Sequence, residues 1–420
     1  MPVTKGYVAE GIDAMKLLLS AYACDPEQGS EPRIGWYFAR SIARLGHEVW
    51  VVTHPRSEAA VTRALRDEPI PNLHIHFVPE PTVARRVPES SWMLLYVLWQ
   101  RAAYRAAQAL DKRIDFDVVH HVTWGSLQGG SALWRLGKPF IFGPVGGGQV
   151  APRAFQRYFG PQWRREAMRS FVATYLLPYL PTVRNPVRHA SLVLAANRET
   201  MAIVRRLGAR RVEFCPDVAL PDEFIPQQYP KRKGNHEMTV VWVGRLLTRK
   251  ALTLALEAIR EVPQELPIRF RIVGGEVLGG EARKVMQQRE LCGRVEHVGQ
   301  VDWLEVKQIM CAGDAFLFTS LRDTTGAQIL EAMGCGMPII ALDHQGARDM
   351  VQDRWGIRVP VQEPKDTVRC LANAVAKLYQ EPELRESMGR HAWEAAKTHT
   401  WSRRALEMQR YYHEVVADSA

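Results

Sequence analysis

The sequence predicts an α/β protein of two doubly wound domains, each a parallel sheet with helices on both faces. Three observations carry this. Short apolar runs alternate with helical patterns in both halves of the chain, a proline-rich polar stretch separates the halves, and 420 residues exceed one ordinary core at roughly 150 residues per domain. The runs are rich in Val, Ile and Leu, as strands covered on both faces must be.

In the first half, MKLLLSAY reads as the opening strand, IGWYFARSIARLG as a helix and HEVWVVTH as the second strand. NLHIHFVP, FDVVHHVT, PFIFGPV and SLVLAAN follow as strands, with helical stretches between most of them. PDVALPDEFIPQQYPKRKGNHE, with four prolines and a charged end, reads as the linker. The second half repeats the plan with MTVVWVG, PIRFRIVGG, RVEHVG, AFLFTS, MPIIALD and GIRVPV as strands, and with ALTLALEAIREV and VKQIMCAG as helices. From about Lys365 the tail is mostly helical. The resulting division is an N-terminal domain over 1–222, a linker over 223–237, a C-terminal domain over 238–398 and a terminal helix over 399–420. Ligands in such sheets bind beyond the carboxyl ends of the strands, which predicts a cleft there.

Composition excludes disorder, with 46% hydrophobic and 24% charged residues. Six scattered cysteines without a C-x-x-C pair read as reduced thiols in a cytoplasmic protein. No signal peptide and no spanning helix are read from the sequence. The net charge of +10 points to an anionic partner. Between Ala151 and Ala190 seven arginines face a single acid, Glu166, and are interleaved with Phe155, Tyr158, Phe159, Trp163, Phe171, Tyr175 and Tyr179. Trp92, Tyr96 and Trp99 share one helical face ahead of Arg101 and Arg105. Aromatics beside arginines fit contact with an anionic membrane surface, and the same spacing fits packed core helices.

The chemistry concentrates in SLRDTTGAQILEAMGCG. Thr324 or Thr325 would cap a helix, and Gly326 would let a ligand approach the backbone. The helix start, with its free N–H groups, suits a diphosphate. Asp323 ahead of the helix and Glu331 about two turns inside it would repel phosphate but accept hydrogen bonds from hydroxyls on either side of it. A ligand that offers both would be a nucleotide diphosphate sugar. In VGRLLTRK, Arg245 and Lys250 follow a strand end and supply the counter-charge.

These blocks resemble the family 4 glycosyltransferases of GT-B architecture, retaining enzymes with two Rossmann-like domains facing across a cleft. The resemblance covers nearly the whole chain, through GHEVWVVTH, DVVHHVT, VGRLLTRK, IVGG, VEHVGQVDWLEVKQIMCAGDAFLFTS and the acid-x7-acid element running into EAMGCGMPIIALD. GSEPRIGW, HHVTWGS, GPVGGG and SLRDTTG together resemble a bacterial branch that builds surface polysaccharides; with the aromatic and arginine segments, the expected acceptor is a glycan or lipid-linked glycan. The resemblance implies that Arg245 and Lys250 neutralise the donor diphosphate and that Asp323 contacts donor-sugar hydroxyls. It further implies that Thr325 and Gly326 bind phosphate and line the sugar pocket, and that Glu331 holds the ribose. Gly29 and Ser30 match an N-terminal loop that admits phosphate and acceptor. It also implies domain closure, with the terminal helix crossing back to the first domain.

Two departures stand out. The first acid is Asp, one methylene shorter than the family's Glu. The family's His-x-His is replaced by adjacent His120 and His121; strand register favours His120 as the cleft-facing ring and keeps His121 as a candidate. DFD at Asp115–Asp117 precedes a strand instead of following one, so it is not read as a metal motif, and the family needs no metal or other cofactor. GPVGGG does not open a helix and is read as a backbone wall near the acceptor. No base-reading module accompanies the positive charge, so nucleic acid is not an expected partner. The expected place of action is the cytoplasmic face of the membrane. Rival readings are a nucleotide-sugar epimerase of the same architecture, which needs no acceptor, and a non-catalytic membrane-associated partner protein. The base (UDP or GDP), the sugar, the acceptor hydroxyl and the oligomeric state stay open.

Overall fold

The computed structural model describes residues 14–83, 91–230, 232, 237–275 and 280–419. The chain divides into two compact units. The first comprises Met1–Gly148, Ala173–Ala219 and Trp401–Ala420, the second Gln149–Val172 and Leu220–Thr400. The segment Gln149–Val172, expected within 1–222, therefore clusters with the second unit, for a packing reason given below. Part of the expected linker, including Lys233 and Gly234, lies outside the described residues, as does the N-terminal stretch before residue 14.

The first unit is built on a parallel sheet of β1 (Lys16–Ala21), β2 (Glu48–Thr53), β3 (Leu73–Phe77), β4 (Val118–Thr123), β5 (Phe140–Val145), β6 (Leu192–Ala195) and β7 (Val212–Phe214), in the order β3-β2-β1-β4-β5-β6-β7. Alternate residues feed two hydrophobic cores. Leu17, Leu19, Val49, Val51 and Val118 face one side with Phe38 and Ile42 of the helix Glu31–Arg44 and with Trp401, Met408 and Tyr412 of the helix Trp401–Ala417. Leu18, Val52, Val119 and Phe142 face the other, against the helix Trp92–Ile114.

That second core decides one of the sequence readings. Trp99 and Tyr96 are buried within it, and the Trp99 indole N–H donates to the Val78 carbonyl at 2.8 Å. Their spacing is that of a core stripe and not of a membrane-contacting face; the Trp92 side chain lies outside the described residues. Phe155, Tyr158 and Phe159 are buried as well, in the second unit. Of the aromatics interleaved with these arginines, Phe171, Tyr175 (61% exposed) and Tyr179 (79%) are exposed and Trp163 is half-buried.

The second unit holds β8 (Met238–Val243), β9 (Ile268–Val273), β10 (Val295–Gly299), β11 (Ala315–Phe318), β12 (Ile339–Leu342) and β13 (Gly356–Val359), in the parallel order β10-β9-β8-β11-β12-β13. Its core joins Val240, Phe270, Leu317 and Ile340 to Leu254 and Ile259 of the helix Leu252–Glu261 and to Leu371 and Val375 of the helix Pro364–Gln380. Phe155 and Phe159 complete this core, which is why their segment belongs here. In each sheet the strand order reverses at one place, between β1 and β4 and between β8 and β11. Crossovers leave in opposite directions from these neighbours, and the loops that follow them are the expected ligand positions.

Candidate active site

The loops after β8 and β11 are the two segments that carry VGRLLTRK and SLRDTTG, so the second unit brings the predicted donor residues together at its own switch point. Lys250 is buried; its ammonium pairs with the Asp323 carboxylate, lies 3.3 Å from Gln328 Oε1 and sits 5.2 Å over the Phe318 ring. Arg249 Nη1 is a second cation, 3.4 Å from Asp323 Oδ2. Burial alone would raise the Asp323 pKa, but the Lys250 and Arg249 charges outweigh it and hold the carboxyl below its usual range. Burial lowers the Lys250 pKa, against the opposing pull of Asp323. Arg245, on the same loop, is exposed.

The helix after this loop runs Ala327–Gly334. Its N-cap is Gly326 in the left-handed region (φ 85°), with no side-chain cap, so neither threonine plays the capping role expected of it. A Cβ on Gly326 would stand 2.9 Å from the Phe318 ring, so glycine brings this turn close to β11. Thr325 is buried beside it. Glu331 is the fifth helical residue, little more than one turn in, because the helix starts at Ala327 and not at the threonines. Trp303, which opens the helix Trp303–Ala312, donates its indole N–H to Glu331 Oε1 at 2.9 Å.

Several participants had weak sequence signals. Gln345 accepts the Asp323 amide at 3.0 Å, and Gly346 lies so close that a Cβ there would meet the Thr324 carbonyl oxygen at 2.0 Å. Both sit in DHQG, just after β12, where a glycine at a helix start was the readable clue. Gln328 lies within the acid-x7-acid element and Trp303 within VEHVGQVDWLEVKQIMCAGDAFLFTS, and neither carries a role of its own there. Glu166 had the clearest signal: it is the lone acid among seven arginines.

The first unit holds the remaining candidates. Gly29 is open, and Ser30 (φ 62°) precedes the helix Glu31–Arg44. Glu31 accepts the Gly125 amide at 2.7 Å, and Gly125 in turn accepts the Gly146 amide at 2.8 Å. Three glycine-bearing loops, after β1, β4 and β5, thus converge at the carboxyl edge of the sheet. Burial raises the Glu31 pKa to about 7 despite the Gly125 amide.

The histidines correct the register reading. His120 points into the core with Phe38 and Tyr412; its Nδ1 is 2.9 Å from the Tyr412 hydroxyl and its Nε2 2.6 Å from the Gly143 carbonyl. Both ring nitrogens are engaged internally, so the ring favoured as ligand-facing is a packed core group. His121 faces the opposite side against Phe142, with Nε2 3.1 Å from the Trp124 carbonyl and Nδ1 buried. Burial lowers both, to about 3 for His120 and about 4 for His121, so both rings are neutral. In the DFD motif, Asp115 pairs with Lys138, and Asp117 Oδ2 accepts the Lys16 amide at 2.7 Å.

Two family models now match the two halves: Glycosyltransferase Family 4 over residues 35–216 and Glycosyl transferases group 1 over residues 223–394. The chain belongs to the family 4 glycosyltransferases. Among the relatives of this glycosyltransferase-family chain, the phosphatidylinositol N-acetylglucosaminyltransferase gpi3 subunit of Schizosaccharomyces pombe is 23% identical over 78% of this chain and 65% of its own. The putative colanic acid biosynthesis glycosyltransferase WcaL of Escherichia coli K12 is 26% identical over 48% of this chain and 51% of its own. The chain therefore spans about half to two thirds of these relatives' length. Anabaena HepE, solved in complex with UDP, superposes with a TM-score of 0.62 at 15% identity, over 96% of this chain and 100% of that one, which identifies the shared GT-B fold.

Proposed function

We propose that the chain transfers a sugar, with retention, from a nucleotide diphosphate sugar to a glycan or lipid-linked glycan acceptor in bacterial polysaccharide or lipopolysaccharide synthesis. The observation that carries this is the grouping in one unit of Asp323 and Glu331 around the start of the helix Ala327–Gly334, beside Lys250 and Arg245. The diphosphate would lie on the helix start with Arg245 as counter-charge, needing no metal to hold it. On this reading Lys250 serves twice. It orients Asp323 toward sugar hydroxyls and stabilises the charge that grows on the leaving diphosphate, where preorganised electrostatics contribute most. The fold neighbour solved with UDP supports a uridine donor, with guanosine the other base to be tried.

The acceptor would bind the first unit, where the loops bearing Gly29, Ser30 and Gly125 converge. The likeness to WcaL supports a polysaccharide acceptor. Among the described residues no helix is long and apolar enough to cross a membrane. The exposed Tyr175, Leu176, Tyr179 and Leu180 support contact with the surface that carries a lipid-linked acceptor, at the inner face of the cytoplasmic membrane.

The test is a thermal-shift panel of UDP, GDP and their hexose conjugates on the wild type and on Glu331→Ala. A ligand at about a hundredfold over its dissociation constant adds roughly 2.7 kcal/mol of stability. One base series should raise the wild-type melting point and leave the variant unmoved. A wild type that no nucleotide shifts at millimolar concentration would overturn the donor assignment.

A further inference from the structure

The segment Gln149–Val172 follows β5 of the first unit in sequence but packs as part of the second, and its polar contacts converge on the loop that bears Asp323. Two links reach that loop. The Val150 carbonyl accepts from Gln345 Nε2 at 2.8 Å, and the Oε1 of the same side chain accepts the Asp323 amide. Glu166, only 8% exposed, places Oε1 2.8 Å from Arg322 Nε and 3.0 Å from Arg169 Nη2. Arg322 is the residue before Asp323, and its carbonyl accepts from Arg249 Nη1 at 3.0 Å. The segment is itself anchored: Phe155 and Phe159 lie in the core, the Tyr158 hydroxyl donates to Glu257 at 2.6 Å, and Thr248 donates to Gln162 at 2.9 Å.

The charge count around the loop makes Glu166 more than a spacer. Arg169, Arg249, Lys250 and Arg322 converge there. Asp323 is occupied by Lys250 and Arg249, so Glu166 is the carboxylate that compensates Arg322 and Arg169. Removing one partner of a buried pair leaves the other uncompensated. Arg322 would then face Arg169 and Arg249 as like charges and turn outward, moving the adjacent Asp323 with it.

We propose that Glu166 is a positioning residue for the transfer: through Arg322 it sets the Asp323 carboxylate against the donor sugar, while the nucleotide half, assigned to Arg245, Lys250 and Glu331, does not depend on it. This rests on the donor reading above.

The experiment compares full-length wild type with Glu166→Gln, Glu166→Asp, Arg322→Gln and the double variant Glu166→Gln/Arg322→Gln. Calorimetric affinities would be taken for UDP and GDP and for UDP-glucose and GDP-mannose. The expected result is a split. Glu166→Gln keeps affinity for the bare diphosphate within about twofold of wild type but binds the hexose conjugate roughly tenfold or more weaker. Glu166→Asp recovers most of that loss, and the double variant is no weaker than Arg322→Gln alone, since the two side chains act as one unit. Should Glu166→Gln not fold, Arg322→Gln is expected to give the same split. Equal weakening toward diphosphate and conjugate, or no weakening of either, overturns the positioning role. A wild type that binds none of the four probes overturns the donor reading itself, and the wild-type measurement tells the two failures apart.

Discussion

At the scale of single residues, the candidate site is a set of carboxylates each fixed by a specific donor. Asp323 is held by Lys250 and Arg249, and Glu331 by the Trp303 indole. A hydrogen bond to a charged group contributes about 1.5–3 kcal/mol, so Trp303→Phe should weaken UDP binding about tenfold by loosening Glu331. Titration calorimetry checks this, and the ratio of UDP to UDP-hexose affinity should not change, because Asp323 keeps its partners. Undiminished UDP affinity would mean that Glu331 does not read the nucleotide. Asp323, Glu331, Arg245 and Lys250 were legible from the combination of two acids about a helix start with two cations after a strand end, since an acid at a helix start alone is common. Arg249, which also pairs with Asp323, was not singled out. Which orienting partners reach the acids was not legible, even where a partner such as Glu166 stood out by itself. Gln345, Trp303 and Glu166 come from other loops, and only the fold brings them to the acids.

At the scale of elements, the strands were readable because fully buried parallel strands are near-continuous apolar runs. The exception is β7, three half-buried residues at the sheet edge, too short to leave a pattern. What the runs concealed was the direction of the polar residues within them. In β4, His120 turned out to face the core with Tyr412 and His121 the opposite side. The sheet nonetheless carries a pH signature. His47, His120 and His121 are all lowered by burial, to about 4, 3 and 4. Below the unfolded histidine pKa of about 6.5 the unfolded chain takes up protons that the folded chain refuses, so stability falls as pH drops toward 4. Each ring accounts for about 1.4 kcal/mol per pH unit in that window. Glu31, raised to about 7, acts in the opposite sense, being protonated when folded at pH values where the unfolded carboxyl is ionised. The histidine contribution is therefore isolated by difference: urea titrations at pH 7 and pH 5 on wild type and His121→Leu. The variant should lose about 2 kcal/mol less between the two values. Parallel losses would show that His121 is protonated in the folded state.

At the scale of the whole molecule, each unit is completed by chain that a cut at the linker would assign elsewhere. Phe155 and Phe159, from the first half of the sequence, fill the core of the second unit. The helix Trp401–Ala417, from the end of the sequence, fills the core of the first. Trp401, Met408, Tyr411, Tyr412 and Val415 are all buried there, Tyr412 bonds His120, and Arg404 reaches the Pro216 carbonyl. At about 1.5–3 kcal/mol for each large side chain, losing these five removes roughly 10 kcal/mol. That is comparable to the entire stability of an ordinary domain, about 5–15 kcal/mol. A chain ending at Thr398 should therefore lose the fixed packing of its first unit while retaining that of the second. The check is hydrogen exchange followed by mass spectrometry on the truncated and full-length chains. Amides of β1, β2 and β4 should exchange far faster in the truncated chain, and those of β8, β9 and β11 at unchanged rates. Supplying residues 399–420 as a separate peptide should restore protection in the first sheet. Protection of β4 that survives the truncation would show that the terminal helix rests on a core already complete without it.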